Sequence, residues 1–154
     1  MTGVDHREVM EGFARVIREH AWDDLARWVH PDVLWEYPQS GERFRGLANV
    51  RAQFENYPNL GPGTSQLEDV IGGATYALTA SYTVIVVEGT GDRGTAIVRV
   101  RYPDGSLWWA LNVYELRDGL IAHARSFFAP DFEAPDWREP YRDGEPTPRG
   151  ALDR

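Results

Sequence analysis

The spacing of apolar residues changes midway along this chain, and that change limits the folds available to it. Before residue 58, apolar residues recur at intervals of three and four, which is typical of amphipathic helices. Later runs rich in Val, Ile, Thr, Tyr and Trp are separated by turn signals, which indicates strands. Helices followed by closely connected strands predict an α+β domain whose helices cover one face of an antiparallel sheet.

Three helices and one strand are predicted in the first part. The first helix is DHREVMEGFARVIREHA, with Asp5 at its capping position. The second is WDDLARWVHPD, which Asp23 caps and Pro31 follows. The segment VLWEYP predicts a strand that Pro38 stops, and LANVRAQFENY predicts a third helix after Gly46.

The second part predicts an antiparallel meander. The predicted strands are SQLEDVI, TYALTASYTVIVVEG, TAIVRVRY, LWWALNVYEL and LIAHARSFF. Asp118-Gly119, a favoured tight-hairpin pair, joins the last two. The last four strands follow one another through short turns, so we expect each to pair with the next.

The C-terminal region breaks this pattern. Residues 1–130 are predicted to form one domain, and residues 131–154 an extended, proline-rich tail. Phe132, Trp137 and Tyr141 are expected to anchor the first part of the tail against the domain or a partner subunit. The last ten or so residues are expected to be disordered.

Charge and composition exclude several classes of function. Sixteen basic and 24 acidic residues give a formal charge of −8, which repels phosphate and argues against a nucleic-acid partner. The absence of cysteine excludes disulfides, thiolate metal sites and a cysteine nucleophile. No stretch approaches the roughly 20 apolar residues of a membrane span, and the start lacks the apolar run of a signal peptide. We therefore expect a cytoplasmic protein without a membrane partner.

Two features that look like cofactor sites are interpreted as structural. Gly89, Gly91 and Gly94 match a dinucleotide-binding fingerprint, but the strand TAIVRVRY follows them instead of the required helix. A hairpin loop explains these glycines better. The four histidines lack the spacing of metal ligands, so neither a metal nor a cofactor is expected.

Three motifs carry a resemblance to a known family: HPDVLWEYPQSGERFRG, YELRDGLIAHARSFF and PDWR. Together with the order of elements, they make residues 5–130 resemble the SnoaL-like branch of the nuclear transport factor 2-like superfamily. The resemblance implies a cone, in which a strongly curved antiparallel or mixed sheet wraps three N-terminal helices around a deep pocket. It also implies a homodimer formed through the outer face of the sheet.

The known chemistries of this superfamily do not transfer directly. The resemblance places Val16, Tyr37 and Asn112 where ketosteroid isomerases carry a tyrosine, a base and a late acid, so the base and half of the oxyanion hole are missing. The strand VRVRY lacks the acid that the epoxide hydrolases need. The cyclase branch uses an internal aspartate or histidine, but alternation turns Glu115 and His123 outward.

Strand alternation and the resemblance together predict the pocket lining, with Asn112 and Ser126 on the pocket face of their strands. Tyr37 and Asn112 are the candidate catalytic residues, which would orient or polarise a carbonyl group of the ligand. Arg45 or, as the alternative, Gln39 is a candidate to meet an anionic or carbonyl group at the pocket mouth. The aromatic candidates for ligand binding are Trp28, Trp35, Trp108, Tyr114 and Phe128.

This lining predicts a flat ligand that is mostly apolar or aromatic. The hypothesis is a small-molecule pocket protein, which as an enzyme would be a cofactor-independent cyclase, isomerase or dehydratase. The alternative is a non-catalytic binding or interaction domain whose aromatic side chains fill its own core.

Overall fold

A computed structural model describes residues 3–57, 82–101 and 107–146 of the chain. The predicted strand SQLEDVI, the first part of the next strand, the turn at residues 103–105 and the last eight residues lie outside the described residues.

The described elements follow the predicted order of helices and then strands. They are α1 (His6–Glu19), a 3₁₀ helix (Trp22–Arg27), β1 (Val29–Tyr37), β2 (Glu42–Arg45), α2 (Leu47–Glu55), β3 (Tyr82–Thr90), β4 (Arg93–Arg101), β5 (Leu107–Arg117), β6 (Leu120–Pro130) and a second 3₁₀ helix (Asp136–Tyr141). None of the described helices is long and apolar enough to cross a membrane.

The six described strands form one mixed sheet in the order β2-β1-β6-β5-β4-β3. Strand β1 runs parallel to β6, and every other neighbouring pair is antiparallel. The meander of β3 to β6 confirms the sequence prediction. Register shifts in three of the strand pairs bend the sheet locally, as β-bulges do. This α+β arrangement confirms the predicted fold class.

Alternation on β5 separates the two faces of the sheet. Ala110, Asn112 and Tyr114 are buried and point to the face that α1 covers, which we call the inner face. Leu111 and Val113 are 41% and 42% exposed on the opposite, outer face. This assignment confirms the predicted alternation along the strand.

The first helix forms because its cap and its apolar stripe agree. The carboxylate of Asp5 accepts a hydrogen bond from the Glu8 backbone N–H at 3.1 Å, which satisfies one free donor of the first turn. Phe13 and Val16, one turn apart, are buried against the inner face. The predicted helix and its cap are confirmed.

The second predicted helix is shorter than expected. It is a 3₁₀ helix that ends at Arg27, and β1 already begins at Val29. Pro31 therefore lies within the strand instead of after a helix. It is tolerated there because the pairing of β1 with β6 shifts register between Val29 and Leu34, where no regular ladder requires its missing N–H.

The segment after Pro38 contains a strand that the sequence analysis missed. The backbone N–H groups of Ser40 and Gly41 donate to the Tyr37 carbonyl, which confirms the predicted turn. The chain then pairs back on β1 over Glu42–Arg45. Four residues are too few for a recognisable alternation, so the strand is specified by the turn before it.

The tail differs from its prediction. Phe132, Trp137 and Tyr141 are 71%, 72% and 83% exposed, so the expectation that they anchor the tail on the domain is wrong. The segment around them is not fully extended, because Asp136–Tyr141 forms a 3₁₀ helix. Anchoring on a partner subunit and a domain boundary at residue 130 stay predictions.

Candidate functional site

A chain of three buried polar groups crosses the inner face from β1 to β5. The indole N–H of Trp35 donates to Oγ of Ser126 at 3.0 Å. The hydroxyl of Ser126 donates in turn to Oδ1 of Asn112 at 2.6 Å. All three side chains are no more than 2% exposed.

The direction of these bonds fixes the orientation of the Asn112 amide. An indole N–H only donates, so Ser126 must accept from Trp35 and has its own proton left to give. That proton requires an acceptor, which is Oδ1 of Asn112. The amide nitrogen, Nδ2, is therefore turned away from Ser126. It is buried and has no hydrogen-bond partner in the described part of the chain.

The side chains around Asn112 on the sheet are short. Ala96 of β4 and Ser126 of β6 are its register partners on either side, and Ala110 lies two positions away on β5. Ala124 lies two positions from Ser126 on β6, and all of them are buried. Only Tyr114, two positions away on the other side of Asn112, is large, and its hydroxyl is bonded to His6.

A second hydroxyl–amide pair joins β1 to α2. The hydroxyl of Tyr37 donates to Oε1 of Gln53 at 2.8 Å. The Nε2 atom of Gln53 is buried. Like Nδ2 of Asn112, it has no hydrogen-bond partner among the described residues. The hydroxyl proton of Tyr37 is therefore used in the bond to the Gln53 oxygen. The two N–H groups of the Gln53 amide remain as donors.

Aromatic rings surround these polar groups. Trp35 stacks on Phe13 of α1 with ring centroids 5.1 Å apart, and it meets Phe54 of α2 edge-on at 5.5 Å. Tyr37 packs against Phe44 and Phe128 at 5.5 and 5.7 Å. The structure therefore brings the predicted residues Trp35, Tyr37, Asn112 and Phe128 into one connected inner-face cluster.

Tyr114 lies on the inner face, and its hydroxyl is bonded to His6 of α1 instead of facing the cluster around Asn112. Nε2 of His6 is 2.9 Å from the Gly91 carbonyl, so it carries the ring proton, and Nδ1 accepts from the Tyr114 hydroxyl at 3.0 Å. Burial raises the pKa of Tyr114 to about 12. A Cβ at Gly94 would lie 2.3 Å from this hydroxyl, which explains the glycine. The neutral side chain of Tyr114 thus links β5 to α1.

The other predicted ligand-binding residues lie apart from this cluster or at its margin. The indole of Trp28 rests on α1, where a Cβ at Gly12 would approach it to 2.3 Å, and it lines a surface depression. Trp108 is half-buried near the start of β5, opposite Pro130. Arg45 is exposed at the end of β2. Their roles in binding stay predictions.

Gln39, the alternative to Arg45 at the pocket mouth, is engaged with the sheet. Its amide donates to the Phe128 carbonyl at 2.7 Å and accepts from the Phe128 N–H at 2.6 Å. These two bonds tie the β1–β2 turn to β6. Because both ends of the amide are engaged, Gln39 acts as a structural tie.

The ionisable groups of β1 and β6 gather on the outer face, as alternation predicts. Nε2 of His123 lies 2.6 Å from the Glu36 carboxylate, and Arg43 and Arg125 each approach it to 3.2 Å. The hydrogen bond from His123 lowers the pKa of Glu36 most, and the nearby charges lower it further against the opposing effect of burial. Within the described ranges, no three His, Asp or Glu side chains are grouped to hold a metal ion.

Two participants in the site were not singled out from the sequence. Ser126 was placed on the inner face, yet its role depends on the β5–β6 register that sets it beside Asn112. Gln53 carried a usable signal, because it is a polar residue directly before Phe54 on the buried side of α2. Its contact with Tyr37 becomes visible only when α2 packs on β1.

Comparisons with known proteins agree with this geometry. Residues 10–124 match the model of the SnoaL-like domain. A protein of unknown function from Burkholderia xenovorans LB400, described as NTF-2 like, superposes with a TM-score of 0.68 at 23% identity, covering 91% of this chain and 94% of that one. No curated protein matches the sequence significantly.

Two further solved structures share the fold. A candidate ketosteroid isomerase from Kribbella flavida superposes with a TM-score of 0.70 at 21% identity, over 92% of this chain and 90% of that one. An LEH-like epoxide hydrolase from M. tuberculosis gives 0.54 at 14% identity, over 79% and 80%. The match to the family model, together with the mixed sheet and its helices, shows that the chain belongs to the SnoaL-like family and has the nuclear transport factor 2-like fold.

Proposed function

We propose that this protein binds a flat, mostly apolar small molecule on the inner face of its sheet, with Asn112 donating a hydrogen bond to a carbonyl oxygen of the ligand. Membership of the SnoaL-like family supports a small-molecule ligand. The observation that carries the proposal is the buried Nδ2 of Asn112, which lacks a partner among the described residues. A buried donor left unpaired costs about 1–3 kcal/mol, and a ligand oxygen would recover this.

The aromatic cluster suits the body of such a ligand. Trp35, Tyr37 and Phe128 lie beside the polar chain and pack against one another or against neighbouring aromatic rings. Ligand pockets commonly combine apolar walls with few polar groups that fix orientation. Gln53 offers a second unpaired amide nitrogen next to Tyr37, so a ligand with two acceptor oxygens would satisfy both nitrogens.

As an enzyme, the protein would polarise the carbonyl through Asn112 and use Tyr37 as the acid or base of a cofactor-independent isomerase, cyclase or dehydratase. As a non-catalytic binding domain, it would use the same groups only to hold the ligand. The bond from the Tyr37 hydroxyl to Gln53 favours binding, because it commits the proton that catalysis would need. The cytoplasmic location stays a prediction.

A pair of probe ligands tests the hydrogen bond. Fluorenone and fluorene have the same flat shape, but only fluorenone carries a carbonyl oxygen. We expect tryptophan fluorescence titrations to show fluorenone binding about ten times more tightly, the value of one good hydrogen bond. Asn112→Leu should abolish this preference, and circular dichroism checks that the variant stays folded although the Ser126 hydroxyl loses its acceptor. Equal affinity for both probes in the wild type would refute the proposal.

A proton-exchange assay separates the enzyme from the binding domain. In D₂O, an enzyme that polarises a carbonyl and moves a proton would speed deuterium uptake next to the carbonyl of 1-tetralone. NMR would follow this exchange, with Tyr37→Phe as the control. Uptake at the uncatalysed rate, together with a carbonyl-dependent affinity, would identify a binding domain.

We also propose a homodimer formed through the outer face of the sheet. Leu111, Val113 and Phe127 are 41%, 42% and 37% exposed there. Leu111 and Phe127 are register partners on neighbouring strands, so their side chains form a continuous apolar surface with Val113. We call these three residues the outer patch.

A further inference from the structure

The segment after β6 carries three aromatic side chains that its own domain leaves exposed. In residues 131–141, which we call the C-terminal arm, Phe132, Trp137 and Tyr141 are 71%, 72% and 83% exposed. Asp136–Tyr141 nevertheless adopts a regular 3₁₀ helix. Ordering a segment costs conformational entropy, and exposed aromatic rings return none of it. The arm has the features of a segment that packs on another molecule.

The start of the arm is fixed on the outer face. Both terminal nitrogens of Arg99 donate to the Asp131 carboxylate at 2.6 Å, and the two side chains are 5% and 11% exposed. The Arg99 guanidinium also lies 4.4 Å above the ring of Trp109. The Asp131 N–H donates to the Leu107 carbonyl at 2.9 Å. These contacts hold the start of the arm at the face that carries the outer patch.

The arm is acidic, whereas the outer face around the patch is balanced in charge. Beyond Asp131, the arm carries Glu133, Asp136 and Glu139 against a single arginine, Arg138. The outer face around the patch carries three arginines against three glutamates: Arg43, Arg93 and Arg125 against Glu36, Glu88 and Glu115, with His123 beside Glu36. In a protein of net charge −8, this balanced face repels an acidic segment less than the surface does on average.

We propose that the two arms of the homodimer are exchanged, each lying across the outer patch of the other protomer. The exposed aromatic side chains of the arm and the exposed apolar side chains of the outer patch would then cover each other. The acidic side chains of the arm would meet the arginines around the patch. The three aromatic side chains of each arm make six in the dimer. At roughly 150–250 Å² each, they supply on the order of 1,000 Å² of surface, which is the scale of a specific interface. This inference depends on the proposed homodimer and not on the proposed ligand.

Sedimentation of the full-length protein across micromolar concentrations tests the exchange. One variant, Trp137→Ser with Tyr141→Ser, removes the aromatic surface of the arm. The other, Leu111→Glu, places an acid in the outer patch. Each should raise the dimer dissociation constant at least about tenfold. Val4→Glu is the matched control, since Val4 is a similarly exposed apolar residue outside both surfaces, 39% exposed. Circular dichroism checks that all variants are folded.

Mixing the two variants identifies which surfaces touch. In a mixed dimer, the intact arm of the patch variant meets the intact patch of the arm variant, so one native contact is restored. We expect the mixture to dimerise more tightly than either variant alone. A wild-type monomer would refute both the homodimer and the exchange. A wild-type dimer that the arm variant leaves unchanged, or variants that do not rescue each other, would refute the exchange alone.

Discussion

Ser126 donates its hydroxyl proton to Oδ1 of Asn112 over 2.6 Å, and this contact decides which end of the amide is left for a ligand. The hydroxyl has no other choice, because it already accepts the indole proton of Trp35. Three residues from three strands therefore orient one donor. The binding proposal depends on this orientation.

Ser126→Ala should remove the orientation and lower stability. The substitution leaves the buried N–H of Trp35 without its acceptor, which costs about 1–3 kcal/mol. In a domain of this size, we expect the melting temperature to fall by roughly 2–4 °C for each kcal/mol. The preference for fluorenone over fluorene should also shrink, because the amide can then rotate. An unchanged melting temperature would show that the bonds from Trp35 and Ser126 contribute little to folding.

Tyr37→Phe should destabilise the protein modestly. It removes the half-buried hydrogen bond to Gln53, worth about 0.5–1.5 kcal/mol in thermal or urea unfolding. Tyr141→Phe is the control, because it keeps the ring and removes only a hydroxyl that bonds to none of the described residues, so it should lose almost nothing. We also expect Tyr37→Phe to weaken fluorenone binding less than Asn112→Leu does. The reverse order would make Tyr37 the main polar contact of the ligand.

Glu36→Gln should destabilise the protein at neutral pH and not in acid. Because His123 and the arginines lower the pKa of Glu36 below its ordinary 4.5, the folded state binds this proton less readily than the unfolded state. The resulting stability is fully present above pH 4.5 and is lost as the pH falls through the folded-state pKa. Melting curves should show a deficit of roughly 2–4 °C at neutral pH that disappears in strong acid.

The matched control for this titration is Glu42→Gln. Glu42 is an exposed glutamate on the neighbouring strand, and its carboxylate accepts a hydrogen bond from the Ser40 hydroxyl. Its substitution should leave the pH profile of stability unchanged. An equal loss in both variants would mean that net charge, and not the His123 contact, determines the effect.

Gly12→Ala should lower stability even though alanine favours helices. A Cβ at residue 12 would lie 2.3 Å from the Trp28 ring, and overpacking of this kind costs about 1–3 kcal/mol. The gain in helix propensity is only about 1 kcal/mol. At Gly3, where a Cβ meets nothing within 4 Å, the same substitution should have little effect on the melting temperature. A higher melting temperature for Gly12→Ala would show that Trp28 moves aside at little cost.

The sequence predicted most of the fold because its signals are local. The capping position of Asp5, the Asp118-Gly119 turn and the strand alternation around Asn112 each depend on neighbouring residues, and the structure confirms all three. Strand β2 and the early start of β1 were missed. The first is too short to show a period, and Pro31 in the second is tolerated only because of a register shift against β6.

The site was less predictable because its contacts are between distant segments. Alternation placed Asn112 and Ser126 on the inner face, but only the β5–β6 register pairs them, and only the parallel pairing of β1 with β6 brings Trp35 to Ser126. The link from Tyr37 to Gln53 needs the packing of α2 on β1. The partner of Tyr114 is His6, 108 residues away, and no local pattern indicates that contact.

The side-chain amide resonance of Asn112 in a ¹⁵N-correlation spectrum tests the central claim most directly. Its assignment follows from its disappearance in Asn112→Leu. A new hydrogen bond moves amide protons downfield, so fluorenone should shift this signal downfield, and fluorene, which lacks the oxygen, should not. If fluorenone perturbs other resonances while that of Asn112 stays in place, the ligand does not meet this amide and the account is wrong.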